Sequence, residues 1–302
     1  MDAPQSQERE QQRVKLPAFD YSAPTSLEDV VALLAADEDA KIISGGQSLM
    51  PVLAFRLNAP SVLVDLRQLE GLDGIEIGAD GVRLGARVRW CDIERHPGLR
   101  SAQPLLVAMI DHVAHTQVRH RGTVGGSLAH ADPASEMPGF ALLCDAVIEV
   151  FGVGGAREIA ADGFFVGPLQ TALEASDVVT AVRLPAWPEG RRWAFQEVAR
   201  RKGDFAMAGV AVYFDAGADG AVQNLHAGAI GAGETPLRLR AVESMLEGRQ
   251  ITPELADAAG VAAGEEVSPM VDDPGEAEYR RALVATLTAR TLKQAAGLEQ
   301  DA

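Results

Sequence analysis

The residues best suited to chemistry in this sequence are the small and polar ones at positions 44–49, Ser-Gly-Gly-Gln-Ser-Leu, which follow a short apolar run. Paired glycines accept positive φ angles and leave no Cβ in the way of a ligand. Successive exposed N–H groups in such a turn suit a phosphate. The loop lacks the G-x-G-x-x-G spacing of a dinucleotide fingerprint, and Pro51 predicts that any following helix begins late. Taken alone, it is either an ordinary turn or an anion site.

Residues 118–138 contain a second cluster of the same residue types, between an apolar helical segment and a predicted strand. Its small and polar members are Gly122, Thr123, Gly125, Gly126 and Ser127. The segment predicts a long loop without secondary structure, and such loops are usually functional or disordered. Val124 and Leu128 make it too apolar for disorder. We therefore expect it to contact a ligand, with a plain surface loop as the alternative.

His130 and Asp132 in the same segment are residue types that bind metals or form catalytic pairs. Pro133 follows them, and no third ligand stands at a suitable spacing. We therefore expect no metal site here, and we assign no catalytic residue to this chain.

Three consecutive cations, Arg200-Arg201-Lys202, precede Gly203-Asp204-Phe205. In an acidic chain, such a run suits an anionic ligand or an acidic partner. A solvated turn between two strands is an equally good interpretation, and the Gly-Asp pair supports a turn in either case.

Composition narrows the chemistry that this chain can perform. Its 302 residues include 43 Asp and Glu against 27 Lys and Arg, a formal charge of −16, which disfavours nucleic acid and anionic lipid as partners. Two cysteines, Cys91 and Cys144, cannot supply the four ligands of an iron–sulfur cluster or a structural zinc site. Redox chemistry would therefore need an organic cofactor or a metal centre on a partner.

The expected location is the cytoplasm. Two cysteines in a chain of this size are typical of reduced thiols in a cytosolic protein. Residues 1–13 are polar, unlike a secretory signal, and predict a disordered tail. No stretch approaches the roughly eighteen apolar residues of a membrane span.

The elements that position these segments follow from the hydrophobic pattern. A capping box at residues 25–29 opens a helix between two short strands, so the chain begins β-α-β. Hairpins are predicted at 74–85 and 146–159, and Pro185 with Pro188 marks a domain boundary. After the boundary, the pattern predicts strands at 193–199, 207–215 and 222–229, then helices at 236–246, 253–264 and 277–296. The whole is α+β.

Three segments together form a more specific pattern than any one alone. They read Ser-Gly-Gly-Gln-Ser-Leu-Met-Pro at 44–51, Arg-Gly-Thr-Val-Gly-Gly-Ser-Leu-Ala-His-Ala-Asp-Pro-Ala-Ser-Glu at 121–136, and Arg-Lys-Gly-Asp-Phe at 201–205. The set resembles the FAD-binding medium subunit of molybdenum hydroxylases, the xanthine dehydrogenase family that includes carbon monoxide, nicotine and other N-heterocycle dehydrogenases. The resemblance runs from residue 14 to the end of the last helix.

The resemblance implies a fold and its division into domains. A two-part FAD-binding domain of the vanillyl-alcohol-oxidase (PCMH) type would cover residues 14–187, with subdomains at about 14–70 and 71–187. A smaller α/β domain of the CO dehydrogenase flavoprotein type, with a three-stranded sheet, would cover residues 188–297.

The resemblance also assigns the cofactor site. FAD would be bound by Ser44, Gly45, Gly46, Gln47, Ser48, Leu49, Thr123, Val124, Gly125, Gly126, Ser127, Glu136, Lys202 and Phe205. The first segment would wrap the pyrophosphate with N–H groups and the Ser48 hydroxyl, and the second would do the same from the other side. Glu136 would accept hydrogen bonds from the ribityl hydroxyls. The two segments would form a cradle around the cofactor, and a side chain at Gly125 would fill that cradle.

Two further residues would act on the flavin ring itself. Phe205 stands where several relatives have a tyrosine, so it would shield the ring without a phenol hydrogen bond. Lys202, with Arg201, would stabilise the anionic reduced ring.

The family also implies partners. A large subunit would carry the molybdenum cofactor and oxidise a small molecule such as an N-heterocycle, CO or an aldehyde. A small subunit would carry two [2Fe–2S] clusters, and the assembly would be a dimer of heterotrimers. This chain would pass the electrons to an external acceptor. The alternatives are a freestanding FAD oxidase or reductase, with His130 or His115 as its acid or base, and a non-catalytic scaffold.

Overall fold

The computed structural model describes residues 16–298, and the tail predicted at residues 1–13 lies outside the described residues. In chain order the strands are β1 (Asp20–Ser22), β2 (Lys41–Ile43), β3 (Val62–Asp65), β4 (Ile75–Gly78), β5 (Gly81–Gly85), β6 (Val147–Gly152), β7 (Gly155–Ala160), β8 (Phe165–Gly167), β9 (Gln170–Thr171), β10 (Val178–Pro185), β11 (Arg192–Ala199), β12 (Ala206–Ala216), β13 (Val222–Ile230) and β14 (Leu237–Arg238). The α-helices are α1 (Leu27–Ala36), α2 (Leu49–Ala54), α3 (Trp90–Arg95), α4 (Leu99–Ala102), α5 (Pro104–Ile110), α6 (Thr116–Arg119), α7 (Val124–His130), α8 (Glu136–Leu143), α9 (Arg240–Leu246), α10 (Pro253–Glu266) and α11 (Pro274–Ala296).

The first part of the chain is a small parallel sheet with one helix against it. Strands β1 and β2 both pair in parallel with β3, which confirms the predicted β-α-β opening. Ser26 caps α1 by accepting a hydrogen bond from the Asp29 N–H at 3.1 Å. Val30 and Leu34 lie on the buried face of that helix, in a core shared with β3. The first glycine segment therefore begins directly after the carboxyl end of β2, in a sheet that this packing holds in place.

The second part is a five-stranded antiparallel sheet in the order β4-β5-β10-β6-β7. Both predicted hairpins form, β4 with β5 and β6 with β7. The inner residues of this sheet share one hydrophobic core with α3, α5, α7 and α8, and that core extends to Tyr213 on β12. The second glycine segment thus packs into this core through Val124 and Leu128.

The last part is a four-stranded antiparallel sheet, β11-β12-β13-β14, rather than the three-stranded sheet that was expected. The fourth strand is short and occupies the first residues of the segment predicted as a helix from 236, so that prediction is wrong at its start; α9 begins only at Arg240. Arg238 pairs with Gly228, and its guanidinium contacts Asp145 at 2.9 Å and Glu243 at 2.7 Å. These contacts hold the segment extended, against its local helical preference.

The two faces of this sheet have different neighbours. Trp193 and Phe195 on β11 pack into the core of the five-stranded sheet, whereas Ala194 and Val198 pack into a second core with α10 and α11. Alternate residues of β11 thus face the two parts of the molecule, as the period of a strand requires. Because the first face lies over α5 and α8, β11 can bring side chains toward the second glycine segment.

Two properties bear on the sequence-based expectations. Cys91 and Cys144 are both buried and unpaired. Within residues 16–298, no helix has the length and apolar character that crossing a membrane requires.

A close contact between α8 and β13 gives a test of this packing. A Cβ added to Gly139 would lie 2.3 Å from Ile230 Cγ2. We expect Gly139→Ala to lower the free energy of unfolding by about 1–3 kcal/mol through overpacking. Ile230→Ala removes the obstructing methyl group, so the double variant should lose at least about 1 kcal/mol less than the sum of the single losses in urea denaturation. Gly154→Ala is the control, since its Cβ would meet nothing within 4 Å; additive losses at 139 and 230 would contradict the contact.

Candidate cofactor-binding site

The first glycine segment links β2 to α2. Gly46 adopts φ +71°, a left-handed conformation that favours glycine. Helix α2 begins at Leu49, two residues before Pro51, so the expectation of a late helix start is wrong. Proline is tolerated in the first turn because N–H groups there have no partner within the helix.

Five successive backbone N–H groups of this segment remain available as donors. Across residues 16–298, no acceptor pairs with the N–H groups of Gly45, Gly46, Gln47, Ser48 or Leu49. The Gln47 amide donates to the Gly45 carbonyl at 3.1 Å, which helps to fix the turn. Unpaired N–H groups at the start of a helix attract an anion, and the dipoles of the turn add to that attraction.

The second glycine segment lies directly against the first. A Cβ added to Gly45 would be 2.3 Å from the Arg121 carbonyl oxygen, so only glycine permits this approach of the two backbones. Next to it, the Ser44 and Thr123 hydroxyls are 3.1 Å apart and share a hydrogen bond. The structure therefore brings together the two segments that the sequence separates by about eighty residues.

The second segment is helical, which contradicts the prediction of a long loop. Helix α6 precedes it, α7 covers Val124–His130, and α8 begins at Glu136. Thr123 caps α7 by accepting a hydrogen bond from the Gly126 N–H at 3.2 Å, and Ala131 ends it with φ +52°. Gly125 and Gly126 have low helix propensity, so capping and burial decide this helix.

The backbone donors of α7 are used within the protein, unlike those of the first segment. The N–H of Val124 donates to Val88 at 2.9 Å, that of Gly125 to Ala86 at 2.8 Å, and that of Ser127 to Thr123 at 3.0 Å. The expected second set of free N–H groups is therefore absent from Val124 to Ser127. This segment instead offers the hydroxyls of Thr123 and Ser127 and the exposed backbone of Gly126.

The two glycines of α7 have different roles. A Cβ on Gly125 would meet the Ala86 Cβ at 2.5 Å, so Gly125 lets α7 pack closely on the segment after β5. A Cβ on Gly126 would meet only the Thr123 hydroxyl, at 2.8 Å, and otherwise faces open space. The expectation that a side chain at Gly125 would fill the cradle is wrong, because that direction leads into the protein.

Glu136 places a buried carboxyl group near these segments. Its side chain is 7% exposed, and burial raises its pKa to about 7, with a smaller contribution from the charge of Asp132. Apart from its own backbone N–H, no donor in the described chain contacts this carboxyl group. A buried carboxyl group with a single local donor is costly to ionise, and hydroxyl donors from a ligand would stabilise its ionised form.

The basic run forms the turn between β11 and β12. Arg200, Arg201 and Lys202 are exposed, and Phe205 is 64% exposed. Gly203 adopts φ +89°, and a Cβ there would lie 2.4 Å from the His115 ring, so the turn packs against the residue that precedes α6. Three exposed cations thus lie in a turn that packs against His115, as either interpretation of the sequence allowed.

The histidines do not form a metal site. Among residues 16–298, no group of three His, Cys, Asp or Glu side chains has the arrangement of metal ligands. His130 ends α7 and is half-buried.

The sequence-based prediction did not include two residues near the site. Ala86 limits the space for α7, and nothing in its surroundings in the sequence marks it. Glu197 lies on β11, and the charge of Glu136 acts on it. The alternation Trp193, Phe195, Glu197 was a usable signal, because it places a carboxyl group on the inward face of a predicted strand.

The contrast between Gly125 and Gly126 gives a test of the cradle. In Gly126→Ala, loss of the Thr123 cap costs about 1 kcal/mol, and the gain in helix propensity returns about as much. We therefore expect the FAD-free protein to keep its melting temperature but to lose FAD affinity. Gly125→Ala should lower the melting temperature of the FAD-free protein itself. Equal FAD affinity in Gly126→Ala and the unaltered protein would show that the open side of α7 does not face the cofactor.

Both parts of this chain are similar to known protein families, and so is the chain as a whole to individual proteins. The model described as the FAD binding domain in molybdopterin dehydrogenase matches residues 17–187, and that of the CO dehydrogenase flavoprotein C-terminal domain matches residues 193–295. The nicotine 6-hydroxylase medium subunit of Paenarthrobacter nicotinovorans is 43% identical, over 93% of this chain and 99% of its own length. The carbon monoxide dehydrogenase medium chain of Hydrogenophaga pseudoflava is 34% identical, over 92% and 97%.

Solved structures show the same likeness. Quinoline 2-oxidoreductase from Pseudomonas putida 86 has a chain that matches with a TM-score of 0.89 and 37% identity, covering 94% of this chain and 99% of that one. Carbon monoxide dehydrogenase from Hydrogenophaga pseudoflava, in a form that lacks the Mo-pyranopterin moiety, matches with a TM-score of 0.89 and 35% identity, covering 93% and 98%. The expected family and fold class are thereby confirmed: this chain belongs to the FAD-binding medium subunits of the molybdenum hydroxylases.

Proposed function

We propose that this chain carries FAD and transfers electrons within a multi-subunit molybdenum hydroxylase. The observation that carries the proposal is the row of five unpaired N–H groups from Gly45 to Leu49, fixed against the Thr123 segment. A row of this kind attracts an anion, and the FAD pyrophosphate is such an anion.

The residues around this row fit the rest of the cofactor. Glu136 supplies a buried acceptor for ribityl hydroxyls, and Gly126 leaves room on the open side of α7. Thr123 and Ser127 add hydroxyls, of which Thr123 already links the two segments. Bound FAD supplies exchange of one or two electrons, and the protein groups adjust its binding and its potential.

The basic turn contributes charge and an aromatic ring. Lys202 and Arg201 are exposed, and an exposed cation near the flavin would favour the anionic reduced ring. Lys202→Gln would then lower the flavin midpoint potential. Phe205, with 64% of its surface exposed, is available to cover the ring.

The partners follow from the family. Related chains are named medium subunits or medium chains, which supports membership of a multi-subunit complex. We infer a large subunit with the molybdenum cofactor and a small subunit with two [2Fe–2S] clusters, assembled as a dimer of heterotrimers. Two cysteines in the whole chain leave the clusters to a partner. Electrons would enter from those clusters and leave to an external acceptor.

The substrate class, the domain limits and the location are parts of the same proposal. The names of relatives mention nicotine, caffeine and carbon monoxide, so a small molecule such as an N-heterocycle, oxidised on the large subunit, is favoured. We place the domain boundary at residues 187 and 188, after the β10 strand. Two unpaired buried cysteines favour the reducing environment of the cytoplasm.

Reduction of the flavin in the complex and in the isolated chain tests the proposal. We expect the purified chain to be yellow, and its flavin to bleach on addition of the substrate only when the partner subunits are present. Dithionite is the control, since it should bleach the flavin in both samples. Colourless chain purified under mild conditions would contradict the proposal.

The same assay distinguishes a freestanding oxidase or reductase, for which the chain offers His130 and His115 as acid or base. His115 packs against the Gly203 turn, and His130 is only half-buried at the end of α7. His130→Ala should leave the rate of flavin bleaching in the complex nearly unchanged. Bleaching of the isolated chain by a substrate, abolished in His130→Ala, would establish the freestanding enzyme instead.

A further inference from the structure

Glu197 on β11 and Glu136 on α8 come from different parts of the chain and meet between them. Glu197 pairs in register with Gly209, and Gly209 with Ile230, so these three residues lie side by side on one face of the sheet. A Cβ on Gly139 would lie 2.3 Å from Ile230 Cγ2, which places α8 directly over this row. Glu136 is three residues before Gly139 and therefore on the same face of the helix. The two side chains therefore start from facing surfaces of the sheet and α8, and the charge of Glu136 acts on Glu197.

Neither carboxyl group has a cation to balance it. Within the described chain, no salt bridge involves Glu136 or Glu197. The Oε2 atom of Glu197 is buried and has no hydrogen-bond partner. The charge of Glu136 raises the pKa of Glu197, and the charge of Asp132 raises that of Glu136.

Two carboxylates in such surroundings cannot both be ionised cheaply. Burial disfavours the charged form, and like charges disfavour it further. Both effects raise the pKa of Glu136 to about 7 and that of Glu197 to about 8. Because Glu197 has the higher pKa, it keeps its proton longer when the pH rises.

We propose that Glu197 and Glu136 hold one proton between them and that Glu197 is a positioning residue, contributed by the C-terminal sheet, for the carboxylate that accepts the ribityl hydroxyls of FAD. The inference rests on the proposed function. Hydrogen bonds from the hydroxyls favour ionised Glu136, and the shared proton then remains on Glu197, which is a neutral neighbour instead of a second negative charge. The FAD site is thus completed by a residue outside the FAD-binding domain.

The pair predicts two pH limits for FAD affinity, one for each residue. Hydroxyl donors lower the pKa of Glu136 on binding, so affinity should rise with pH up to about 7. Bound FAD excludes water from the space and raises the pKa of Glu197, so affinity should be complete below pH 8 and fall above it. The fall should reach about three- to tenfold between pH 7.5 and 9.

The experiment is a set of FAD titrations of the full chain between pH 6 and 9, followed by flavin fluorescence. Glu197→Gln is isosteric and permanently neutral, so it should abolish the fall above pH 8 and keep the rise below pH 7. Glu136→Gln should abolish the rise. Glu158→Gln is the matched control, because Glu158 pairs with Arg183 on an exposed sheet face, and it should reproduce the unaltered profile.

Proton exchange gives a second measurement that does not depend on affinity. Calorimetry at pH 8.5 in buffers of different ionisation enthalpy should show proton uptake on FAD binding by the unaltered chain and none by Glu197→Gln. The same profile and the same uptake in both proteins would overturn the pair while leaving the proposed function intact. Failure of every variant and of the unaltered chain to bind FAD would overturn the proposed function itself.

Discussion

The contact between the Gly45 and Arg121 backbones is the constraint on which the site depends. A Cβ at position 45 would lie 2.3 Å from the Arg121 carbonyl oxygen, so the two glycine segments approach as closely as their main chains allow. That approach places Ser44 beside Thr123, and the N–H groups from Gly45 to Leu49 have no acceptor within the described chain. The two segments therefore have different roles. The first offers backbone donors, and the second fixes the first and offers hydroxyls and an open surface.

The C-terminal sheet also contacts the part of the chain that contains the two glycine segments. One face of β11 packs into the FAD-binding part through Trp193 and Phe195, and the turn after it packs against His115. The same strand carries Glu197, whose pKa the charge of Glu136 raises, so in the proposed arrangement the sheet contributes to the site as well as supporting it. A buried carboxyl pair without a cation costs stability. In the proposed arrangement, binding of FAD offsets part of this cost.

Much of the fold could be predicted from the sequence where local signals agree with tertiary packing. The cap at Ser26, the two hairpins and the strands after Pro188 have strong local patterns, and all of them form. Helix α7 was missed because two glycines and flanking polar residues resemble a loop, while burial of Val124 and Leu128 decides the outcome. Strand β14 was not predicted because its extended form depends on two contacts of Arg238. One is with Asp145, which is distant in the sequence, and the other is with Glu243, which lies in the following helix. What a Cβ added to each glycine would contact likewise depends on the tertiary structure. The sequence therefore pointed to two segments that the structure brings together, but not to which of their groups are free to bind.

Hydrogen–deuterium exchange of the backbone amides tests the central claim most directly, that the first glycine segment holds the anionic part of FAD. In the FAD-free chain, the amides of Gly45 to Leu49 should exchange fast because they have no acceptor, whereas those of Val124 to Ser127 should be protected. Addition of FAD should slow exchange from Gly45 to Leu49 strongly and change the second set little. Unchanged, fast exchange from Gly45 to Leu49 in FAD-loaded protein would contradict the account.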